Sequence, residues 1–466
     1  MIQQRQNWRA YQAQLKKNKA HKKLKNIAFK VLLFLPVLLI SGYASTICFE
    51  TVEESPATII KSESTVNNLL TKDDLKTILN SDSFSNIKER QFNIVTNNTE
   101  MFVKTSLDMD LQKFLLKKIS RVKKLKRGKP RYLAIVVMEP ASGKIRALAG
   151  YNQTDESQNP CLTNVFPAAS IFKIVTAAAA VEECGFTPSS KLNFNGGKYT
   201  LYKRQLKEKN NKYTNRISFK DSFAQSVNPV FGKIGSLYLG KQTLEKYAAA
   251  FGFNKSIRFE TPLPISQLNI SEEPYHWAEI ASGFNRKTLI SPLHGALLSG
   301  TIVNKGVLPE PTIIDEIIDS SGQLLYIGKS SSLNQAIKPE TSIVLKKLMA
   351  TTISSGTGKK GFRGYKKDPV LAKLNIGGKT GSIFNTSHDV RFDWFVGYAE
   401  EKNGNDKLAI SVVVGHEKYI GTKACNYARM AIKRYYGKQF AKKSDNTLLA
   451  KNNINGLENA NTIITR

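Results

Sequence analysis

The spacing of apolar positions divides the chain into regions with different patterns. Val31 to Cys48 is eighteen residues without a charge, including Leu32-Leu-Phe-Leu-Pro-Val-Leu-Leu-Ile40. That is the length of one membrane crossing, and Ile27 to Phe29 extend it with Lys30 snorkelling, so 27–48 is expected to be a transmembrane helix. Residues 49–100 are polar, rich in Ser, Thr, Asn and Lys, and support at most a short helix at Lys72 to Leu79 behind a Thr71 cap. They read as a juxtamembrane linker or small subdomain.

From about residue 101 the periodicity is that of a packed domain. Asp110 to Ile119 has apolar residues at helical spacing. Tyr132 to Met138 and Lys144 to Ala149 read as two strands joined by the turn Pro140-Ala-Ser-Gly143. Ile174 to Val181 is an apolar helix, and helices follow near Pro229 to Leu239 and Leu244 to Phe251. Ser291 to Gly300 is an N-capped helix with proline in its first turn, and Thr341 to Thr352 is another. Three strand-like runs arrive last, Leu374 to Ile383, Trp394 to Ala399 and Leu408 to Val414, before an amphipathic helix over Thr422 to Tyr436. Two strands, then helices, then three strands predict an α/β fold of the α+β type for 101–440. Its five-stranded antiparallel sheet would be flanked by helices and carry a long helical insertion. The polar stretch 441–466 is expected to be a disordered tail.

Charge adds orientation to this outline. The 466 residues carry 69 Lys and Arg against 37 Asp and Glu, a net +32. Such an excess raises nucleic acid as a partner. The lysines are spread along the whole chain, however, and no zinc-finger or RNA-binding signature accompanies them, so nucleic acid is excluded in favour of anionic lipid or wall polymer. Residues 1–30 hold nine Lys or Arg and no acid. This basic flank, with 1–26 as a cytoplasmic tail, predicts a single pass with the N-terminus inside and everything after about residue 50 outside the cell membrane. A cleaved signal peptide, with Gly42-Tyr-Ala44 as its site, is the competing reading; the long leader favours an uncleaved anchor. Four cysteines without a CxxC pair exclude a disulfide-built scaffold. Cys161 and Cys184, which flank the apolar helix, are open between a bridge and two thiols.

The candidate chemistry begins at Pro167-Ala-Ala-Ser170-Ile-Phe-Lys173. A Ser and a Lys three residues apart share one helical face. Apolar neighbours penalise the charged lysine, so its amine can become neutral and act as a base for the hydroxyl. A plain buried helix with a snorkelling lysine would give the same local pattern. Ser226-Val-Asn228 lies 53 residues after Lys173, and Gly377-Gly-Lys379-Thr380-Gly381-Ser382 follows on an apparent edge strand. Singly, the first of these reads as a helix cap and the second as the end of a phosphate loop. The phosphate loop is excluded because the position five before Gly378 is Lys373 rather than glycine.

Together the three motifs resemble the penicillin-binding protein transpeptidases, among the serine enzymes that penicillin acylates. The resemblance extends over about 101–438. It includes Asp108-Met-Asp-Leu-Gln112, Val137-Met-Glu-Pro-Ala-Ser-Gly-Lys-Ile145, Ile290-Ser-Pro-Leu-His-Gly-Ala296, Asn304-Lys-Gly-Val307, Gly356-Thr-Gly358 and Asp393-Trp-Phe-Val-Gly397. It implies a β-lactamase/transpeptidase-like fold with no cofactor and no metal. It also implies roles. Ser170 would be the nucleophile and Lys173 its base; Ser226 would be the proton relay and Asn228 would orient the substrate amide. Lys379 would supply positive charge beside that relay and, with Thr380 and Ser382, hold the terminal carboxylate; Gly381 would also bind substrate, and the backbone N–H groups of Ser170 and Ser382 would form an oxyanion hole. The implied reaction cross-links peptidoglycan stem peptides through an acyl-enzyme and is inhibited by β-lactam antibiotics.

No stretch resembles a glycan-polymerising domain, which leaves a glycan polymerase as a candidate partner beside stem peptides and membrane lipid. Related lactamases have a Glu four residues before an Asn; here Leu268-Asn269 has Ile265 in that place, so fast lactam hydrolysis is not expected. A D,D-carboxypeptidase, and a non-catalytic penicillin-binding sensor or scaffold, are the alternatives.

Overall fold

The structure is a computed structural model that describes residues 69–79, 81–96 and 99–464. The expected transmembrane helix at 27–48 and the basic tail at 1–26 lie outside the described residues. Among the described residues, no helix is long and apolar enough to cross a membrane.

The strands predicted from the apolar runs form one sheet. They are β1 (Tyr132–Met138), β2 (Ile145–Asn152), β3 (Leu374–Phe384), β4 (Arg391–Glu401) and β5 (Lys407–His416). Their spatial order is β3-β4-β5-β1-β2, antiparallel throughout. The sheet is therefore the five-stranded antiparallel one expected, and β3 is an edge. β1 is apolar at nearly every position because both of its faces are covered. Ala134, Val136 and Met138 join one core with Phe172, Val175, Leu293 and Leu297. The alternate residues Leu133, Ile135 and Val137 join a second core with Leu111, Leu115, Ala428 and Ile432. Successive side chains on a strand point to opposite faces, so a two-sided sheet has no polar positions to spare.

Helices supply both covers. α1 (Met109–Lys123), capped by the Asp108 side chain on the Leu111 N–H, lies on the second face with α4 (Ala424–Ile464). On the first face lie α2 (Lys173–Cys184) and α3 (Pro292–Val303). Every residue of α3 is buried, which is why its sequence shows no polar stripe. Ser291 caps it through the His294 N–H, as predicted.

Two boundaries differ from the expectation. The limit drawn at 100/101 cuts through paired strands, Gln91–Thr96 and Thr99–Thr105. These continue into a second sheet with Ile314–Asp319 and Leu324–Ile327, more than 200 residues later in the chain. Part of the polar 49–100 stretch is thus built into the domain. Buried Lys72 reinforces the join, pairing with Glu310 at 2.8 Å and donating to Pro311 O at 2.7 Å. The stretch 441–466, expected to be disordered, is helical as far as Ile464 because α4 continues through it. No proline follows Pro369 to stop it.

Candidate active site

Ser170 sits in a 3-10 turn, Ala169–Phe172, that leads directly into α2. The tight winding aligns residues three apart, and Lys173 Nζ lies 2.9 Å from Ser170 Oγ. The turn is clamped from several sides. Ala169 has φ +49°, a left-handed conformation that is unfavourable for a residue with a Cβ. Gly283 packs against it at φ +65°, and a Cβ there would fall 2.0 Å from Ala169 O. From β3, Gly381 approaches so closely that an added Cβ would stand 3.3 Å from Ala169 Cβ. Buried Trp394 donates its indole N–H to Pro167 O at 3.0 Å. Surrounding contacts of this kind can hold backbone strain in place at a reactive residue.

Lys173 is wholly buried. Its Nζ also contacts Asn228 Oδ1 at 2.8 Å and the Ser282 carbonyl oxygen, and the Phe231 ring centroid is 5.5 Å away. Among the described residues no carboxylate pairs with it. Burial, and then the like charge of Lys379, hold its pKa well below the ordinary lysine range. Hydrogen-bond valence agrees with a neutral amine. The amide orientation of Asn228 is fixed by its Nδ2 donating to Tyr199 O at 3.0 Å. In the neutral form two carbonyl oxygens take the two N–H bonds of the amine, and its lone pair is left to accept from the Ser170 O–H.

Ser226 occupies the turn between the helices Phe219–Ala224 and Asn228–Lys233, at φ +58°. The cap reading for this motif does not hold, because the N-cap of the second helix is Val227, which makes no side-chain cap. The Ser226 Oγ instead accepts from Lys379 Nζ at 3.0 Å. Lys379 is buried in β3 and also donates to Thr380 O at 2.9 Å. Desolvation lowers its pKa to about 7.

These groups meet along one cleft of about 750 Å³, lined by Ser170, Ser226, Asn228, Thr380, Gly381 and Ser382 among others. Lys173 and Lys379 lie beneath. Edge strand β3 forms one wall, and such an edge can take an extended peptide by strand addition. Thr357, in the Gly356-Thr-Gly358 block, hydrogen-bonds Thr380 Oγ1, and Arg391 Nε donates to Ser382 Oγ at 2.9 Å. The candidate site residues Ser170, Lys173, Ser226, Asn228, Lys379, Thr380, Gly381 and Ser382 therefore fall in this one place.

Residues 133–433 match the penicillin binding protein transpeptidase domain family, more than half of the chain. The chain belongs to that family. The peptidoglycan D,D-transpeptidase PbpA of Mycolicibacterium smegmatis is 23% identical over 326 residues, 60% of this chain. The chain spans 61% of that relative's length. Penicillin-binding protein A of Mycobacterium tuberculosis, solved as a penicillin G acyl-enzyme complex, shares the fold with a TM-score of 0.56 at 20% identity, over 72% of this chain and 80% of that one. Penicillin-binding protein 3 of the same organism, with aztreonam, gives 0.59 at 18% identity, over 73% and 79%.

Sequence reasoning missed the Ser282 carbonyl, Gly283, Tyr199, Arg286 and Arg391. A signal for the first two exists. The helix Pro274–Ser282 begins with proline and stops at a left-handed glycine, a start-and-stop pattern visible in the sequence. The others have no local signature. Cys161 and Cys184, open between bridge and thiols, are both free.

Proposed function

We propose that this chain is a membrane-anchored serine D,D-transpeptidase that cross-links peptidoglycan stem peptides through an acyl-enzyme on Ser170 and is inhibited by β-lactams. The observation that carries this reading is the buried amine of Lys173, 2.9 Å from the Ser170 hydroxyl. In the proposed reaction Ser170 Oγ attacks the carbonyl of a D-alanyl-D-alanine bond while its proton passes to Lys173. The N–H groups of Ser170 and Ser382 receive the developing oxyanion, each worth roughly 3–4 kcal/mol in comparable sites. Lys379 and Thr380 hold the terminal carboxylate. As the C–N bond breaks, a proton reaches the leaving amine through Ser226, and D-alanine departs. An amine of a neighbouring stem peptide then attacks the ester, forming the cross-link and returning the proton to Ser170.

The anchor would be the apolar segment 27–48 in the lipid of the cell membrane, with the basic N-terminus in the cytoplasm and the cleft outside. A separate glycan polymerase would supply the strands. The test is labelling of the purified full chain by fluorescent penicillin, followed by turnover of muropeptides. Labelling that Ser170→Ala abolishes, with cross-linked dimer as product, is expected. Release of D-alanine without dimer would point to a carboxypeptidase, in which water takes the place of the acceptor amine. A chain that penicillin never modifies refutes the proposal.

A further inference from the structure

A dense block of charge lies apart from the catalytic groups. The fifteen residues Lys117 to Arg131, which form the second half of α1 and the turn that leads to β1, carry nine Lys or Arg and no acid. Two of the nine are matched. Lys123 pairs with Glu156 at 2.8 Å, and Arg131 pairs with Asp389 at 2.8 Å and with Glu417. The other seven make no ion pair among the described residues.

Helix stability does not account for them. Lys113, Lys117 and Arg121 are exposed and four residues apart, so they stand in one row along the outer side of α1 at about 6 Å per step. Like charges at that spacing repel. The single acid of α1, Asp110, is bound to Lys438 of α4. The helix dipole favours cations in the last turn, which explains Arg121 and Lys123. It explains neither Lys113 and Lys117 in the body of the helix nor Lys126, Arg127 and Lys129 beyond its end.

The turn after α1 carries the same surface to the rim of the cleft. Gly421 packs on Gly128, where an added Cβ would stand 2.5 Å from Gly128 O. The Tyr419 ring is covered by Arg127 at 4.3 Å and Lys418 at 5.7 Å from its centroid. Lys423, two residues past Gly421, lines the cleft itself.

From this we infer that the outer side of α1 and the turn after it bind a linear phosphodiester polymer and hold it beside the cleft. Most of the unmatched cations are lysines, compact point charges that suit negative charge repeated along a flexible chain rather than one planar group. A bilayer is the other anionic surface, and it fits less well. Lying on lipid takes a broad exposed apolar face. The apolar stripe of α1, Leu111, Leu115, Ile119 and Val122, is instead buried in the core. With the Tyr419 ring covered, Leu125 and Ile420 are left as the exposed aliphatic side chains of this surface. The inference does not rest on acyl-enzyme chemistry, so Ser170→Ala should bind the polymer as wild type does.

The experiment uses the purified full chain in zwitterionic lipid discs, with soluble poly(glycerol phosphate) as the probe. With seven cations engaged, raising salt from about 50 to about 200 mM should weaken binding about a thousandfold. The combined variant Lys117→Gln, Arg121→Gln, Lys124→Gln, Lys126→Gln should retain only about a twentyfold dependence, with penicillin labelling as in wild type. A matched control, Lys359→Gln, Lys360→Gln, Lys366→Gln, Lys367→Gln, removes as much charge from another exposed segment and should keep the full dependence. Equal losses in the two variants overturn the inference, because net charge alone then does the binding, and so does a polymer that fails to bind. Lysine acetylation read by mass spectrometry needs no variant. The polymer should shield Lys117, Lys124 and Lys126 more than Lys359 and Lys366, and uniform shielding overturns the inference. Discs containing phosphatidylglycerol that shield the same three lysines without polymer assign the surface to a bilayer and overturn it as well.

Discussion

Replacing Lys173 by arginine keeps a long cationic side chain but removes the property its surroundings impose, an amine that can give up its proton. A guanidinium stays protonated throughout this pH range and offers no lone pair to the Ser170 O–H. A positioned general base contributes about 10²- to 10⁴-fold, or roughly 3–5 kcal/mol on the barrier. The arginine would also stand in a fully buried slot whose present contacts include the Ser170 hydroxyl, two carbonyl oxygens and the Phe231 ring and, among the described residues, no carboxylate. An unpaired buried charge costs about 3–5 kcal/mol. Lys173→Met loses the base to the same degree without burying a charge. It leaves Asn228 Oδ1 and the Ser282 carbonyl without their donor, at about 1–3 kcal/mol each. Both variants should therefore react with fluorescent penicillin about a hundredfold or more slowly, and Lys173→Arg should also melt lower than wild type. The assay is the second-order acylation rate constant, taken at a temperature where melting curves show each variant folded. A folded arginine variant acylating within about threefold of wild type would refute the base assignment.

The pH profile should carry the signature of the second lysine. Lys379, lowered to about 7 by burial, binds a carboxylate in its charged form. kcat/KM for peptide donors should therefore fall as pH rises through about 7, and Lys379→Arg should move that limb out of range. At low pH the limb runs the other way, because Lys173 must lose its proton to act and its pKa is already depressed. Gly283→Ala adds a Cβ at φ +65° against Ala169 O. It should lower stability by about 1–3 kcal/mol and slow acylation by displacing Ser170, read by chemical denaturation and by labelling rate. Trp394→Phe leaves Pro167 O without its 3.0 Å partner in a buried position. A loss of about 1–3 kcal/mol is expected in the same denaturation series.

Local spacing alone determined a good deal of this protein. The three-residue interval from Ser170 to Lys173, the Ser291 cap before Pro292 and the apolar run Tyr132–Met138 are each legible because neighbours in sequence stay neighbours under helical or extended geometry. The fold class followed from the order of such runs, and the candidate site from three motifs whose side chains suit one chemistry. The long-range partners were not legible. Nothing near Lys379 in sequence points to Ser226, 153 residues earlier. Nothing near Lys173 points to the Ser282 carbonyl, 109 residues later. Gln91–Thr96 read as part of a polar linker because its partner Thr99–Thr105 belongs to a sheet that is completed only by Ile314–Asp319, far along the chain.

The sequence supplied a lysine in apolar company; the tertiary structure decided that it is fully buried, without a counter-ion among the described residues, and bonded to two carbonyl oxygens. That burial, with the like charge of Lys379, turns an ordinary ammonium into a base, and it comes from packing between remote segments rather than from the residue itself. The same holds for Arg286 and Arg391, two unremarkable surface-type residues in the sequence that the fold brings to one end of an edge strand. Charge type is written locally. Its protonation and its partner are set by the solvent that folding removes and the groups that folding brings close.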